Sequence, residues 1–315
     1  MRNLIRRSIS TYQLGIIRKL LSGPSAWEHL DALGIPGLGT NLARFLFPLR
    51  QLEKPSWGFG QVPHQGIKAI LDRESLRFIE MMPTLKSFAY DLTQWPIVSD
   101  SAYPEMPHLQ NEFIPLADAV VLYGMLRHFQ PLRYVEVGSG ISTKIAHQAK
   151  RSGKLEMQII SIDPEPRQQI DNLSDTVIRN RLEDVPEVFF RDLSSGDLLF
   201  FDGSHYCFPG NDVVVFFLRI LPMLPPGIRV HVHDIYWPED YSPDVLKQLW
   251  SEQYLLGAWL LGGGQGIRIT FPAAYMSKRP EMSELLDQLF SQLAQPELAA
   301  SSWQRQGTSF WFETV

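Results

Sequence analysis

Residues 133–142 read RYVEVGSGIS, and this stretch decides how the rest of the chain is interpreted. The apolar run RYVEV predicts a buried strand, and STKIAHQAKRSG, which follows the glycines, predicts a helix. Gly138 and Gly140 let the backbone turn sharply and approach a ligand, and the free N–H groups at the helix start can bind an anionic group. This strand, turn and helix predict the first unit of an α/β sheet with a ligand at its carboxyl end.

Outward from this unit, residues 111–315 alternate helices with short apolar strands. Strands are predicted at 133–137, 157–163, 197–203, 228–234, 266–271 and 308–314, with a short strand or turn in TVIRNRLEDV. Helices are predicted at 114–129, 142–153, 213–224, 245–261 and 281–294. This order is typical of a Rossmann-like, doubly wound and mostly parallel sheet, and it predicts an antiparallel C-terminal strand.

Residues 1–110 have a different texture, since proline and glycine interrupt short helical pieces. We expect this part to be a mainly helical N-terminal cap that contributes to substrate binding, and residues 111–315 to form the catalytic domain. The best helix candidate of the cap runs from Ile67 to Phe88. Residues 1–21 carry five basic residues and no acidic one. Such a segment packs on the domain, contacts a membrane peripherally or acts as a targeting signal.

The composition limits the class of protein. Hydrophobic residues make up 44% of the 315 and charged residues 20%, which is typical of a folded, globular chain. The net charge of -5 argues against a nucleic-acid partner, because it provides no general basic field. No apolar run is long enough to span a membrane. The single cysteine, Cys207, suits a reducing compartment, so a cytoplasmic location is expected. The sequence does not indicate an oligomeric state.

Acidic residues at the first strand ends suggest what the glycine turn binds. Glu136 would repel a diphosphate, but it can accept hydrogen bonds from an ammonium group such as the amino-acid end of S-adenosylmethionine. Thr143 stands where a dinucleotide fingerprint has its third glycine. Asp163 ends the second strand, where Rossmann-type folds bind a ribose diol. Asp184, in the turn RNRLEDV, is either an adenine contact or half of a solvated acidic pair with Glu183.

Four polar residues follow two further strands: Asp202 and His205 in FDGSH, and His233 and Asp234 in HVHD. Neighbouring parallel strands would bring the two aspartates together at one rim of the sheet. Alternation places His231 and His233 on the same face, with Asp234 on the other unless the strand has already ended. Two carboxylates with imidazoles suit either a hard divalent cation or a general-base cluster.

Six segments together resemble a bacterial family of class I S-adenosylmethionine-dependent methyltransferases: VEVGSGIST, SIDP, DLLFFDGSH, LPMLPPGIRVHVHDIYWPEDY, WSEQYLL and GTSFWF. The resemblance covers about residues 111–315. It implies that the cofactor is bound by Glu136, Gly138, Ser139, Gly140, Ser142, Asp163, Asp184 and Asp202.

The same resemblance extends to the rim of the sheet. In similar cation-dependent O-methyltransferases, aspartates after the fourth and fifth strands bind a divalent metal that holds the substrate hydroxyl. Asp202 and Asp234 match these positions. Ile235 replaces the usual asparagine, which leaves His205 or His233 to complete the site or to act as a base. The expected metal ligands are therefore Asp202, Asp234 and His205, with Mg²⁺ or another divalent cation.

The predicted function is methyl transfer from S-adenosylmethionine to a hydroxyl of a small molecule or glycan. The expected catalytic residues are His205, His233 and Asp202, with His205 as the base because an ordinary imidazole pKa near 6.5 suits proton transfer at neutral pH. Two alternatives stay open. One is a metal-dependent hydrolase built on the H-x-H-D cluster, and the other is a binding protein that keeps the cofactor site without turnover.

Overall fold

The computed structural model describes residues 54–166 and 170–315, so the predicted basic helix at 1–21 lies outside the described residues. The strands are β1 Arg133–Val137, β2 Gln158–Ile162, β3 Thr176–Ile178, β4 Leu198–Phe201, β5 Arg229–Val232, β6 Ile267–Pro272 and β7 Phe310–Thr314.

These strands form one seven-stranded sheet in the order β3-β2-β1-β4-β5-β7-β6. Strands β1 to β5 are parallel, whereas β7 pairs antiparallel to both β5 and β6. All four residues of β4 are buried, as expected of a central parallel strand covered on both faces. The winding direction reverses between β1 and β4, which is where such sheets bind ligands. The predicted Rossmann-like fold with an antiparallel C-terminal strand is confirmed.

The described helices are α1 Gln65–Ala89, α2 Leu116–Phe129, α3 Ile141–Gly153, α4 Glu187–Arg191, α5 Asp212–Val215, α6 Pro243–Lys247, α7 Glu252–Leu261, α8 Ala273–Met276, α9 Pro280–Leu293, α10 Pro296–Ala300 and α11 Ser302–Arg305. The long helix α1 begins at His64, whose Nδ1 accepts the N–H of Ile67 at 3.2 Å. Most of α2 is buried. A glycine, Gly124, lets α1 approach closely, since a Cβ there would lie 2.7 Å from a methyl of Leu85.

Two predicted helices differ from the structure. The apolar segment 245–261 is not one helix, because Leu249 adopts a left-handed φ of 66° and separates α6 from α7. The segment 213–224 is only partly α-helical, and after α5 it continues as a π-helical turn, Phe216–Ile220, and a 3₁₀ turn, Leu221–Met223. Hydrophobic spacing does not reveal such local changes of winding.

The chain divides into two compact units. The larger comprises residues 56–240 and 250–315, and the smaller comprises 1–55 and 241–249. Helix α1 lies in the larger unit with the sheet and packs on α2 and β6. Helix α1 buries Phe78, Leu85 and other apolar residues in the same core as the sheet, and the domain boundary at residue 110 stays a prediction. Within residues 54–166 and 170–315, no helix combines the length and hydrophobicity needed to cross a bilayer.

Candidate functional site

The register of the sheet aligns the ends of four parallel strands. The last residues of β2, β1, β4 and β5 pair with one another across the sheet. Main-chain bonds continue the ladder one step further, since Asp202 N–H donates to the Val137 carbonyl and His233 N–H donates to the Phe201 carbonyl, each at 2.9 Å. Gly138 and Asp163, which follow β1 and β2, lie at the same edge. The strand ends therefore assemble one continuous site at the carboxyl edge of the sheet.

The two glycines of the first turn have different surroundings. Gly138 has a φ of 81°, and a Cβ there would lie 2.0 Å from the carbonyl oxygen of Asp202. Gly138 is thus required by the backbone conformation and by the contact between the ends of β1 and β4. A Cβ at Gly140 would meet no atom within 4 Å. The space beside Gly140 is open at the start of α3, where the sequence predicts a ligand.

Glu136 is fully buried among hydroxyl groups. Its carboxylate accepts hydrogen bonds from Thr143 Oγ1 at 2.5 Å, Ser161 Oγ at 2.6 Å, Ser142 Oγ at 3.0 Å and Tyr134 Oη at 3.3 Å. Burial raises the pKa of Glu136 to about 7, although these hydrogen bonds oppose the shift. The roles predicted for Glu136 and Ser142 in cofactor binding stay predictions, and in this structure the two bond to each other.

Asp163 holds the turn after β2 against the glycine turn. Its Oδ2 accepts the N–H of Ser139 at 2.9 Å and lies 3.2 Å from the Ser139 hydroxyl, while Oδ1 accepts the N–H of Glu165 at 2.8 Å. The side chain is only half-buried, and a carboxylate can accept about four hydrogen bonds. Asp163 therefore keeps capacity for a ligand hydroxyl. Asp184 lies exposed in the turn Leu182–Asp184 after β3, and its adenine contact stays a prediction.

A cluster of acids surrounds His205 at the ends of β4 and β5. The His205 Nδ1 lies 3.1 Å from Oε1 of Glu252, at the start of α7. The other ring nitrogen, Nε2, lies 3.8 Å from an oxygen of Asp202 and 3.9 Å from an oxygen of Asp234. The structure thus brings together Asp202, His205 and Asp234 as the sequence predicts, and it adds Glu252.

The acids change the proton affinity expected for His205. Burial alone would lower the pKa of His205, but Glu252, Asp234 and Asp202 together raise it to about 9. The expectation of an ordinary pKa near 6.5 is therefore wrong, because three carboxyl groups converge on the ring. His205 carries a positive charge at neutral pH in the ligand-free protein, and it must lose that proton before it can act as a base.

His233 lies between two carboxyl groups. Its Nδ1 is 3.2 Å from Asp234, and its Nε2 is 3.6 Å from Asp118 and 3.3 Å from the Thr308 hydroxyl. Burial would lower the pKa of His233, but Asp234 and Asp118 hold it well above its ordinary value. Asp118 also accepts the N–H and hydroxyl of Thr308, each at 2.7 Å. His233 is thus a buried imidazolium, and it reaches α2 and the start of β7.

His231, two residues earlier, lies in a different environment. Its ring stacks on Trp311 with 4.1 Å between centroids and lies 5.9 Å from the His233 ring, as expected for imidazoles on one face. Burial and the neighbouring His233 lower the pKa of His231 well below its ordinary value. His231 is therefore a neutral core residue rather than part of the charged cluster.

Two backbone conformations at the cluster are unusual. His205 and Asp234 have φ values of 67° and 56°, in the left-handed region that residues other than glycine seldom adopt. Asp234 lies beyond the end of β5, so the alternation of the strand does not set its direction. Such conformations concentrate at functional sites, where surrounding contacts hold them in place.

The donor types at this rim suit a hard divalent cation, but their present arrangement does not. Ligand atoms of Asp202, His233 and Asp234 lie within 4.8 Å of one another. However, the His233 ring already lies between two carboxylates, with Nδ1 3.2 Å from Asp234 and Nε2 3.6 Å from Asp118. The position of the usual asparagine holds Ile235, which is fully buried. As they lie, these groups form a closed ion-pair network, and the metal-ligand role of Asp202, Asp234 and His205 stays a prediction.

Sequence reasoning missed two acids of the cluster, Asp118 and Glu252. Both are buried at the N-terminal ends of helices, within the apolar segments LADAVVL and EQYLL. An acid inside an apolar helical segment is a signal for a buried partner, because an unpaired buried charge is costly. The partner itself could not be identified, since His233 and His205 are far away along the chain.

The strand order defines a Rossmann-like domain whose winding reverses between β1 and β4. A family model described as a methyltransferase domain matches residues 135–235, which span the glycine turn, Asp163, Asp202 and the end of β5. Residues 135–235, about a third of the chain, are thus similar to a methyltransferase domain. No curated protein sequence matches the chain.

Solved structures to which the chain is similar include three methyltransferases. One is the Podospora anserina methyltransferase PaMTH1 bound to SAH, at 16% identity over 64% of this chain and 90% of that chain, with a TM-score of 0.36. The plantazolicin methyltransferase BpumL in complex with SAH has 10% identity, coverage of 79% and 98%, and a TM-score of 0.39. A putative methyltransferase from Thermobifida fusca has 12% identity, coverage of 71% and 96%, and a TM-score of 0.37.

Proposed function

We propose that the chain transfers a methyl group from S-adenosylmethionine to a hydroxyl of a small molecule or glycan. The observation that carries the proposal is the alignment of the ends of β1, β2, β4 and β5, by which the open glycine turn and the cluster of imidazole and carboxyl groups share one edge of the sheet. In the reaction, the acceptor oxygen forms a bond to the methyl carbon while the carbon–sulfur bond breaks. The bonding electrons stay on sulfur, and the hydroxyl proton passes to the protein.

The cofactor half of the proposal rests on the turn from β1 into α3. The space beside Gly140 and the N–H groups at the start of α3 suit the carboxylate of the amino acid. Asp163 is half-buried at the end of β2, where it would accept hydrogen bonds from the ribose hydroxyls. The predicted ammonium partner, Glu136, is enclosed by hydroxyls, so the ammonium group would replace or join one of them.

The acceptor half rests on the cluster around His205. Methyl donation from a sulfonium needs mainly alignment of the partners and removal of one proton. His205 Nε2 faces Asp202 and Asp234, and the ring can take up the proton once it is neutral. A sulfonium bound near Asp202 would lower the pKa of His205, because two positive charges repel each other. Cofactor binding would then prepare the base.

The first test is calorimetric titration of the full chain with S-adenosylmethionine and with its demethylated product. We expect both to bind, and we expect Asp163→Ala to weaken binding by about tenfold or more, since it removes the ribose acceptor. The matched control is Asp192→Ala, an exposed aspartate beyond α4, which should bind as the wild type does. If the wild type binds neither compound, the proposal is wrong.

The second step of the test identifies the acceptor. The chain is incubated with S-adenosylmethionine and a panel of phenols, sugars and polyketide alcohols, and formation of the demethylated product is followed. Turnover with a hydroxyl compound supports O-methyl transfer. Binding without turnover on any acceptor would favour the alternative of a non-catalytic cofactor-binding protein.

A cation-assisted form of the same reaction is the second candidate. Three potential ligand atoms within 4.8 Å of one another, on Asp202, His233 and Asp234, favour it. A divalent cation held there would lower the pKa of the acceptor hydroxyl directly. Repeating the titration and the turnover assay with Mg²⁺ and with a chelator distinguishes this form from the metal-independent one.

A further inference from the structure

The segment Trp250–Ser251–Glu252, which leads into α7, holds the loop after β4 on which His205 lies. Ser251 N–H donates to the His205 carbonyl at 2.8 Å, and Cys207 N–H donates to Ser251 Oγ at 2.9 Å. The His205 ring stacks on Trp250, with 4.0 Å between centroids and 26° between planes. The loop is thus attached by its main chain, and the ring is held separately by side chains.

Glu252 contacts the His205 ring in a buried setting. The Glu252 side chain is only 1% exposed, and its Oε1 lies 3.1 Å from Nδ1 of His205. Its second oxygen, Oε2, is 3.3 Å from the N–H of Ser251. A buried carboxylate is costly unless it is paired and hydrogen-bonded, and the two contacts offset that cost. It directs Nδ1 toward Glu252 and Nε2 toward the rim of the sheet.

We infer that Glu252 and Trp250 are positioning residues for His205: Glu252 holds the proton on Nδ1, Trp250 sets the plane of the ring, and Nε2 is left to receive the acceptor proton. The inference rests on the proposed function, since His205 acts as base only if the chain transfers a methyl group. An imidazole held at one nitrogen by a carboxylate is fixed in one tautomer and one orientation.

A purely structural role explains these contacts less well. The hydrogen bonds of Ser251 to His205 and Cys207 already attach the loop, and Glu252 reaches them only through Oε2, which lies 3.3 Å from the shared N–H of Ser251. The carboxylate is instead directed at the ring. The other groups that face the ring are also acidic, Asp202 and Asp234, so Glu252 is not needed for charge balance alone. Its particular contribution is the contact with Nδ1.

The test is NMR spectroscopy of the full chain at pH 7 with labelled histidine, with the His205 signals assigned by comparison with His205→Gln. We expect a strongly downfield Nδ1 proton in the wild type, because a proton shared with a buried carboxylate is deshielded. The signal should be kept in Glu252→Asp and lost in Glu252→Gln. The matched control, Glu313→Gln, removes a half-buried acid at the opposite end of the sheet and should change nothing.

An unchanged His205 signal in Glu252→Gln would overturn the inference. Thermal unfolding of each variant shows whether a lost signal merely reports a lost fold, and Trp250→Phe, which keeps an aromatic ring, should retain the signal. Failure of the proposed function is recognised separately, since it appears as absent S-adenosylmethionine binding in the wild type.

Kinetics then connect the contact with catalysis. With any acceptor that the wild type methylates, Glu252→Gln should lower kcat at least about tenfold, because the wrong tautomer presents a proton where a lone pair is needed. The Kd of S-adenosylmethionine and the KM of the acceptor should change less than about threefold. Glu252→Asp should recover part of kcat. Equal kcat in the Gln variant and the wild type would contradict the positioning role.

Discussion

Two buried carboxyl groups at the same edge of the sheet have different surroundings: Glu136, in β1, and Asp234, just beyond β5. Glu136 is surrounded by four hydroxyls, three of them on serine or threonine. Asp234 has imidazoles beside it, His233 at 3.2 Å and His205 at 3.9 Å. Burial raises the pKa of Glu136 to about 7, whereas the imidazoles hold the pKa of Asp234 below its ordinary value.

This difference separates two kinds of chemistry at one edge of the sheet. Hydroxyls solvate a carboxyl group without fixing its charge, which suits a site that gains a charged ligand. Imidazoles keep neighbouring carboxylates ionised and can exchange protons with them. The ends of β1 and β2 are therefore suited to binding, and the ends of β4 and β5 are suited to proton transfer.

Replacing His205 by alanine should impair proton transfer at the ends of β4 and β5 and leave cofactor binding at the ends of β1 and β2 unchanged. We expect turnover to fall by about 10²- to 10⁴-fold, because general-base catalysis contributes roughly this much. In the wild type, kcat/KM for S-adenosylmethionine, which reports the free enzyme, should rise with pH up to about 9, since His205 must lose its proton to act as base. The alanine variant should lack this rise and should still bind S-adenosylmethionine. Turnover equal to that of the wild type would remove His205 from the mechanism.

Gly138→Ala should damage the fold, and Gly140→Ala should not. At Gly138 the φ of 81° and a Cβ 2.0 Å from the Asp202 carbonyl oxygen act together, and we expect a loss of about 3 kcal/mol or more in the free energy of unfolding. Gly140 has open space and an extended φ of 172°, so alanine there should cost less than about 1 kcal/mol. Urea unfolding of both variants measures the contrast, and equal losses would contradict it.

A bulkier residue at Gly140 separates binding from stability. Gly140→Val fills the open space beside the start of α3, so we expect weaker S-adenosylmethionine binding with nearly unchanged unfolding. Unaltered affinity would show that the ligand does not occupy that space.

Glu136→Gln should change how stability depends on pH. The pKa of Glu136 is about 7 in the folded protein against an ordinary 4.5, so the folded state binds this proton more tightly than the unfolded state. Its contribution to stability is therefore fully present below about pH 4.5 and is lost as pH rises to about 7, by on the order of 3 kcal/mol at most. We expect glutamine to flatten this fall between pH 5 and 7.

The measurement is urea unfolding of the ligand-free wild type and Glu136→Gln at several pH values. The difference between the two free energies of unfolding at each pH removes the contribution of the other titrating groups. One of these is His231, whose depressed pKa makes the folded state lose stability as pH falls below about 6.5. Parallel curves for the two proteins would show that Glu136 does not titrate in this range.

Addition of Mg²⁺ should have the smallest effect. Because His233 already lies between Asp234 and Asp118, and the buried side chain of Ile235 offers no oxygen, we expect the Kd of S-adenosylmethionine to change less than about twofold between saturating Mg²⁺ and chelator. A tenfold change, or turnover that is lost with chelator and restored by Mg²⁺, would instead support the cation-assisted reaction.

The binding half of the site was largely predictable from the sequence. The strand RYVEV, the glycine turn and Asp163 lie within 31 residues, from 133 to 163. Their arrangement follows from strand alternation, glycine conformation and the parallel pairing of β1 with β2. The predicted helix at 245–261 was wrong at Leu249, because hydrophobic spacing carries no information about a left-handed residue.

Of the cluster at the ends of β4 and β5, only the residues that directly follow the strands could be predicted from the sequence. Asp202 and Asp234 could be placed at one rim because neighbouring parallel strands end at the same edge. Glu252 and Asp118 could not be paired with His205 and His233, since those contacts depend on how α7 and α2 pack against the sheet. The raised pKa of His205 was missed for the same reason.

The sheet and the glycine turn could be predicted from the sequence, because apolar runs and glycine positions act through local conformation and regular strand pairing. Only the tertiary structure decided the charges of the site. Thr308 donates a hydrogen bond to Asp118, although 190 positions separate them in the sequence, and Glu252 contacts His205 across a separation of 47 positions. Proton affinity depends on burial and on charges in space, and the order of residues along the chain does not record those distances.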